Sequence, residues 1–173
     1  QDLREIPSVV GGDEESRHGI VLAKSGPAKK YGIKTGETLF SARQKCPQVR
    51  IVPPNYYLYM QCHYALLEIL HDFSPKVQVF SIDEAFIDYT GMEGIYGDPV
   101  NAAYIMKDRI KNELGFTVNI GVSKNKLLAK MAGDLQKPDM VHTILSEEEM
   151  KEKLWSLPVK KLRRLGRQLY LLL

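Results

Sequence analysis

Between Tyr56 and Leu145 the apolar residues change period in a definite order, and that order narrows the fold more than any single motif. Leu58, Cys62, Leu66, Ile69 and Leu70 repeat with helical spacing. They predict a long helix over about Tyr56 to Phe73, ended by Ser74-Pro75. Val77 to Ser81 and Ala85 to Tyr89 read as strands. Asp98-Pro99 is a helix start, an N-cap acid followed by proline, and Gly115 stops that helix after about Leu114. Phe116 to Val122 alternates cleanly and reads as a strand, Lys124 to Leu135 as a helix, and Met140 to Leu145 as a short strand. This order matches an antiparallel sheet with helices packed on one face, an α+β layout.

The segment before Tyr56 is organised differently. Ile6 to Val10 and Ile20 to Ala23 are short apolar runs, read as strands about the charged, glycine-bearing turn GGDEESRHG. Lys29 to Glu37 is a glycine-punctuated connector. Glu37 to Cys46 has helical composition and Pro47 closes it. Beyond the central block, Ser146 followed by three glutamates opens another helix, and Trp155 after it reads as an interdomain packing residue.

With 44% hydrophobic and 26% charged residues, the 173-residue chain has the composition of a soluble globular protein able to bury a core. A net charge of +3 is compatible with a nucleic-acid partner without requiring one. Cys46 and Cys62 form no CxxC and no metal-ligand spacing, which argues against a disulfide scaffold and for two reduced thiols. His18, His63, His71 and His142 are scattered without an HxxxH pair and read as ordinary surface or half-buried residues. No apolar run reaches membrane-spanning length and no leader is evident, so the expectation is a cytoplasmic protein with no membrane partner. Gln1 is not a natural start, so the gene product is expected to begin upstream.

Asp83 and Glu84 stand side by side in the stretch VFSIDEAFIDY. On a regular strand they would face opposite sides, and one would point inward unpaired at high cost. A chain reversal at Asp83-Glu84 removes that cost and brings both acids to one rim. Paired oxygen ligands there suit Mg²⁺, which takes one or two carboxylates together with substrate phosphates. A polar hairpin tip with two solvated acids is the other reading. Asp88, on the returning strand, reads as solvent-facing.

The stretch GVSKNKLLAK (Gly121 to Lys130) leads from a strand into a helix that Ser123 or Asn125 can cap. Lys126 and Lys130, four apart, share a face, while Leu127, Met131 and Leu135 form an apolar stripe widened by Leu128 and Ala132. Such a lysine face could neutralise a triphosphate beside the acidic rim, or could simply be solvated.

Taken together, these residues resemble a Y-family DNA polymerase, the DinB/UmuC group of translesion enzymes. SIDEAFID (Ser81 to Asp88) resembles that family's second catalytic motif, and GVSKNKLLAKMAGDLQKP (Gly121 to Pro138) its phosphate-side helix and following loop. LREIPSVVGG and AKKYGIKTGE resemble its fingers, and LPVKKLRRLG (Leu157 to Gly166) the start of its thumb.

The resemblance implies a ferredoxin-like palm over 56–145, a small fingers subdomain over 1–55 and an incomplete helix-hairpin-helix thumb over 146–173. It implies that Asp83 and Glu84 ligate two catalytic Mg²⁺ ions and that Lys130 and Lys29 contact the incoming dNTP. Lys160, Lys161, Arg163, Arg164 and Arg167 would touch DNA phosphates. The implied activity is template-directed, lesion-bypass synthesis in DNA repair: Mg²⁺-dependent nucleotidyl transfer from a dNTP to a primer 3′-hydroxyl on primer–template DNA. A sliding clamp would be a partner of the longer protein.

Three departures accompany the resemblance. The family's other metal-binding Asp and its aromatic steric gate lie on a strand before LREIP, upstream of residue 1, and Asp2 has the wrong context to replace that Asp. Ala23 and Gly26 stand where many members have Thr and Tyr. Arg164 replaces the first glycine of the thumb's Gly-x-Gly turn. The fragment is therefore expected to be weak or inactive alone. The alternative is a non-catalytic family member acting as a nucleic-acid-binding or scaffold module in a repair complex.

Overall fold

A computed structural model describes residues 2–12 and 19–157, and the chain divides into two compact units, Gln1–Leu58 and Tyr59–Leu173. The first unit holds β1 (Ser8–Gly11), β2 (Val21–Lys24), α1 (Gly26–Lys30), α2 (Leu39–Lys45) and β3 (Arg50–Val52). The sheet order is β2-β1-β3, with β1 antiparallel to β2 and parallel to β3. Val9, Val21, Ala28, Ile33, Leu39, Ala42, Cys46 and Val49 form its core. Ser25 ties the unit together. Its hydroxyl accepts from Ala28 N as the cap of α1 and from Ser8 N, and donates to the Ile6 carbonyl. Neither α1 nor β3 was expected. A serine two residues ahead of Pro27 was the local sign of α1, whereas β3 exists only through its partner.

The 18-residue helix α3 (Tyr56–Phe73), whose first turn is capped by Asn55, leads into the second unit. Then follow β4 (Val77–Ser81), β5 (Glu84–Ile87), α4 (Glu93–Tyr96), α5 (Pro99–Leu114), β6 (Ile120–Ser123), α6 (Lys126–Gly133), β7 (Val141–Ile144) and α7 (Glu147–Met150), which runs on as a π turn, Lys151–Trp155. The punctuation of α5 is as expected: Asp98 accepts from the N–H groups of Val100 and Asn101, and Gly115 ends the helix at φ 75°. Ile69, Leu70 and Phe73 of α3 pack with Met106 and Ile110 of α5, and Val77, Ala85, Ile87 and Ile120 cover them from the strands.

The mixed α+β class stands, but two details depart from an antiparallel sheet with helices on one face. β4 and β5 form an antiparallel hairpin, whereas β6 and β7 pair in parallel, Ile120 opposite Val141 and Ser123 opposite Ile144. The reason is the connection: α6 carries the chain back to the start of β6, and a parallel pair requires such a crossover. Secondly, α6 lies on the face of β6 opposite to α5. Ile120 joins the α3–α5 core, while Gly121, pointing the other way, meets Ala129 and Gly133 of α6. Ala132, Ile144 and Leu154 make a separate small core there.

Cys46 is buried, Cys62 half-buried, and both are free. Trp155 is largely exposed with Lys151 over its ring, rather than packed between domains, because the apolar side of its turn is already filled by Leu154. Among the described residues no helix is long and apolar enough to cross a membrane.

Candidate active site

The β4–β5 hairpin closes on the pair Ser81 and Glu84. The reversal therefore falls at Ile82-Asp83, one residue earlier than the sequence suggests, and Glu84 opens β5 instead of sitting in the turn. The register shifts between Val79 and Ser81, leaving Phe80 as an extra residue that re-aims the end of β4. The Ser81 hydroxyl donates to Asp83 Oδ1 at 2.6 Å and pins that carboxylate against the turn. His63 of α3 donates from Nδ1 to the Ile82 carbonyl at 2.8 Å, since a carbonyl oxygen can only accept.

The α6 helix faces this tip. Asn125 is its cap, accepting from Leu128 N at 2.9 Å, while the Ser123 hydroxyl bonds instead to the Ile144 carbonyl. The helix sits so close to β6 that a Cβ on Gly121 would come within 1.8 Å of the Ala129 carbonyl oxygen. That approach brings the lysines across. Lys126 Nζ donates to Gln78 Oε1. Lys130 Nζ pairs with Glu84 Oε2 at 2.5 Å and lies over the Phe80 ring, 5.2 Å from its centroid. Phe80 in turn meets Phe86 edge-on, with centroids 5.8 Å apart.

Between β5 and β6 runs an open cavity of about 1620 Å³, bordered by Asp83, Glu84, Lys126 and Lys130 and floored by apolar residues such as Ala103 and Met106. Among the described residues, the edge of β5 away from β4 and the edge of β6 away from β7 carry no strand.

The remaining site residues are scattered or lie outside the described part. Lys29 is exposed on α1, in the first unit. Lys160, Lys161, Arg163, Arg164 and Arg167 lie outside the described residues. Asp88 is exposed just beyond β5. Bonds from Thr90 and Lys76 hold its pKa down at about 2. Asp2 bonds Arg4. Among the described residues no three His, Cys, Asp or Glu side chains gather as a metal cluster. The residue that sequence reasoning missed here is His63. Its sign was a polar side chain on the same helical face as Leu66 and Leu70.

The impB/mucB/samB family matches residues 1–134. The chain belongs to that family. It is 52% identical over 172 residues to a DNA polymerase IV of Clostridium acetobutylicum, covering 97% of this chain and 42% of that protein. It is 46% identical over 165 residues to one from Moorella thermoacetica, covering 95% and 41%. Among solved structures it resembles DinB from Sulfolobus solfataricus (TM-score 0.77, 28% identity, 95% of this chain and 50% of that one). It also resembles a post-insertion binary complex of Dbh DNA polymerase (TM-score 0.74, 31% identity, 84% and 42%). This family member thus has the fold and sequence of a Y-family polymerase core, and spans about two-fifths of the length of the curated relatives it matches.

Proposed function

We propose that the protein containing this chain is a lesion-bypass DNA polymerase that transfers a nucleotide from a dNTP to a primer 3′-hydroxyl, releasing pyrophosphate. The observation that carries this reading is the convergence of Lys130 with Glu84, beside Asp83, at one rim. Catalysis of this class is mainly positioning and charge neutralisation, and these are the groups it needs.

The donor set fits Mg²⁺. Asp83 and Glu84 are hard oxygen donors, exposed and half-buried respectively, and two carboxylates suffice when phosphate oxygens complete the shell. When bound, the metal ions would neutralise the triphosphate and polarise the reacting oxygens. Ser81 orients the Asp83 carboxylate. Lys130 exchanges its bond to Glu84 for triphosphate oxygens, and Lys29 adds a second cation from the fingers. The cavity between β5 and β6 favours a further contributor: two strand edges left open among the described residues, above an apolar floor, are what an additional strand requires. A strand upstream of residue 1, bearing the family's other metal-binding Asp, fits that description.

In this reading 1–55 are fingers, 56–145 palm and 146–173 the start of the thumb. Lys160, Lys161, Arg163, Arg164 and Arg167 bind primer–template phosphates without reading sequence, and a sliding clamp engages segments beyond this chain. The test is primer extension by the full-length protein in Mg²⁺, wild type against Asp83→Asn. Extension that the substitution abolishes supports the assignment. A folded wild type that binds DNA and does not extend it points to a binding or scaffold module instead.

A further inference from the structure

We propose that His63 is a positioning residue for the metal carboxylates, an inference that rests on the reading of Asp83 and Glu84 just given. A two-residue hairpin is normally closed by a primed turn, which needs positive φ at one or both central residues and so selects Asn-Gly or a similar pair. Here the central residues are Ile82 and Asp83. Among the described non-glycine residues only Asp139 has positive φ, so neither adopts the primed conformation. Ile82-Asp83 is therefore not a self-selecting primed turn, and its geometry depends on the side-chain bonds made to it.

Two bonds do so. The Ser81 hydroxyl reaches Asp83 Oδ1 from within the hairpin. The other comes from outside: His63 Nδ1, on α3, holds the Ile82 carbonyl at 2.8 Å, and that carbonyl belongs to the peptide leading into Asp83. His63 is itself held by a helix whose Ile69, Leu70 and Phe73 are buried in the core. A rigid path thus runs from the core through α3 and His63 to the peptide ahead of Asp83. His63 acts along this path through the Ile82 carbonyl. Its effect is to fix the plane of the Ile82–Asp83 peptide, and with it the direction in which the Asp83 carboxylate leaves the chain next to Glu84.

The test uses the full-length protein on primer–template DNA with a dideoxy-terminated primer, so that nucleotide binding is read without turnover. The dNTP is titrated in Mg²⁺ and followed by fluorescence, and DNA affinity and thermal unfolding are measured alongside. His63→Leu removes the donor; His63→Asn places an amide N–H near the position of Nδ1. Losing one such bond is expected to weaken Mg²⁺-dependent dNTP binding roughly 3- to 10-fold in the Leu variant, with Asn within about twofold of wild type. DNA affinity is expected to stay unchanged in both. If the Leu variant does not fold, His63→Gln takes its place, because its N–H lies one bond further out and misses the carbonyl. The proposal is overturned if the donor-lacking variant binds dNTP like wild type, if Asn fails as badly as Leu, or if DNA affinity falls in step with dNTP affinity. Asp83→Asn in the same titration separates the two levels: metal-dependent dNTP binding that survives it removes the metal-site reading, and the His63 proposal with it.

Discussion

Lys130 Nζ and Glu84 Oε2, 46 residues apart in sequence, lie 2.5 Å from one another with side-chain exposures of 23% and 34%. The cation proposed for the triphosphate thus rests on a carboxylate proposed for the metal. The pair keeps two half-buried charges from standing uncompensated, and it holds α6 against the hairpin.

Lys130→Met should act at both levels. Leaving Glu84 half-buried without its partner costs about 1 kcal/mol of stability, close to the upper range for partly exposed pairs. Loss of a charge-assisted phosphate contact should weaken dNTP binding about tenfold or more. Denaturant unfolding and dNTP titration measure the two separately. Adding Glu84→Gln to Lys130→Met should restore stability and leave nucleotide binding impaired.

Asp83→Asn and Ser81→Ala should differ in size and kind. Replacing the carboxylate would remove a proposed metal donor, and primer extension by the full-length protein should fall by about 100-fold or more. Ser81→Ala leaves the carboxylate in place and frees its rotamer, so extension should fall only about 3- to 10-fold, the worth of one hydrogen bond. Steady-state extension at several Mg²⁺ concentrations would show it, with the Ser81→Ala deficit shrinking as Mg²⁺ rises.

Gly121→Ala should be among the most damaging single substitutions in the second unit. Its methyl would sit 1.8 Å from the Ala129 carbonyl oxygen and 2.5 Å from Gly133 N, both backbone atoms that cannot rotate away. Driving α6 off β6 should cost about 3 kcal/mol or more and lower Tm by roughly 6–12 °C. Gly133→Ala, whose new carbon would lie 3.3 Å from Gly121 N, should be much milder. Calorimetry of the two variants distinguishes them.

Asp139 should contribute an acid-sensitive part of the stability. It adopts φ 60° in the α6–β7 connection and is held by Lys111 at 2.6 Å and Lys107 at 3.2 Å on α5. Those bonds, from Lys111 first and then Lys107, lower its pKa below the ordinary value of 3.8. A depressed carboxylate pKa means the folded form binds its proton less readily than the unfolded form. Its contribution is therefore complete above the unfolded pKa and is lost as pH falls through the lowered folded value. Denaturant midpoints taken from about pH 5 down to about pH 2 should fall less steeply in Asp139→Asn than in wild type.

Replacing Lys160, Lys161, Arg163, Arg164 and Arg167 with glutamine should weaken DNA binding equally across sequences. If all five meet phosphates, the slope of log K against log salt should flatten by about 4. Fluorescence anisotropy over a salt series measures it, and an unchanged slope would place the DNA contacts elsewhere.

Much of this fold is legible locally. The long α3, the Asp98 and Gly115 limits of α5, and the Ser146 cap are set by residues within one or two turns of each other, and they appear in the structure where the pattern puts them. That Asp83 and Glu84 mark a chain reversal was likewise readable, because a strand interior cannot hold an unpaired acid. The exact turn was not, since Ile82-Asp83 has no turn signature of its own.

Most of the elements, their order and the residue types at the rim can be read along the chain, because periodicity, caps and turns act over four or five residues; β3, which exists through its pairing with β1, cannot. That Lys130 meets Glu84, that His63 reaches Ile82, and that β6 and β7 run in parallel follow from how the elements pack. Each of those depends on the distance between separately formed elements. Here the glycine contact at Gly121 sets that distance for α6, and burial of Ile69, Leu70 and Phe73 against α5 sets it for α3. A packing distance is a property of two surfaces together, so no contiguous stretch of the chain records it.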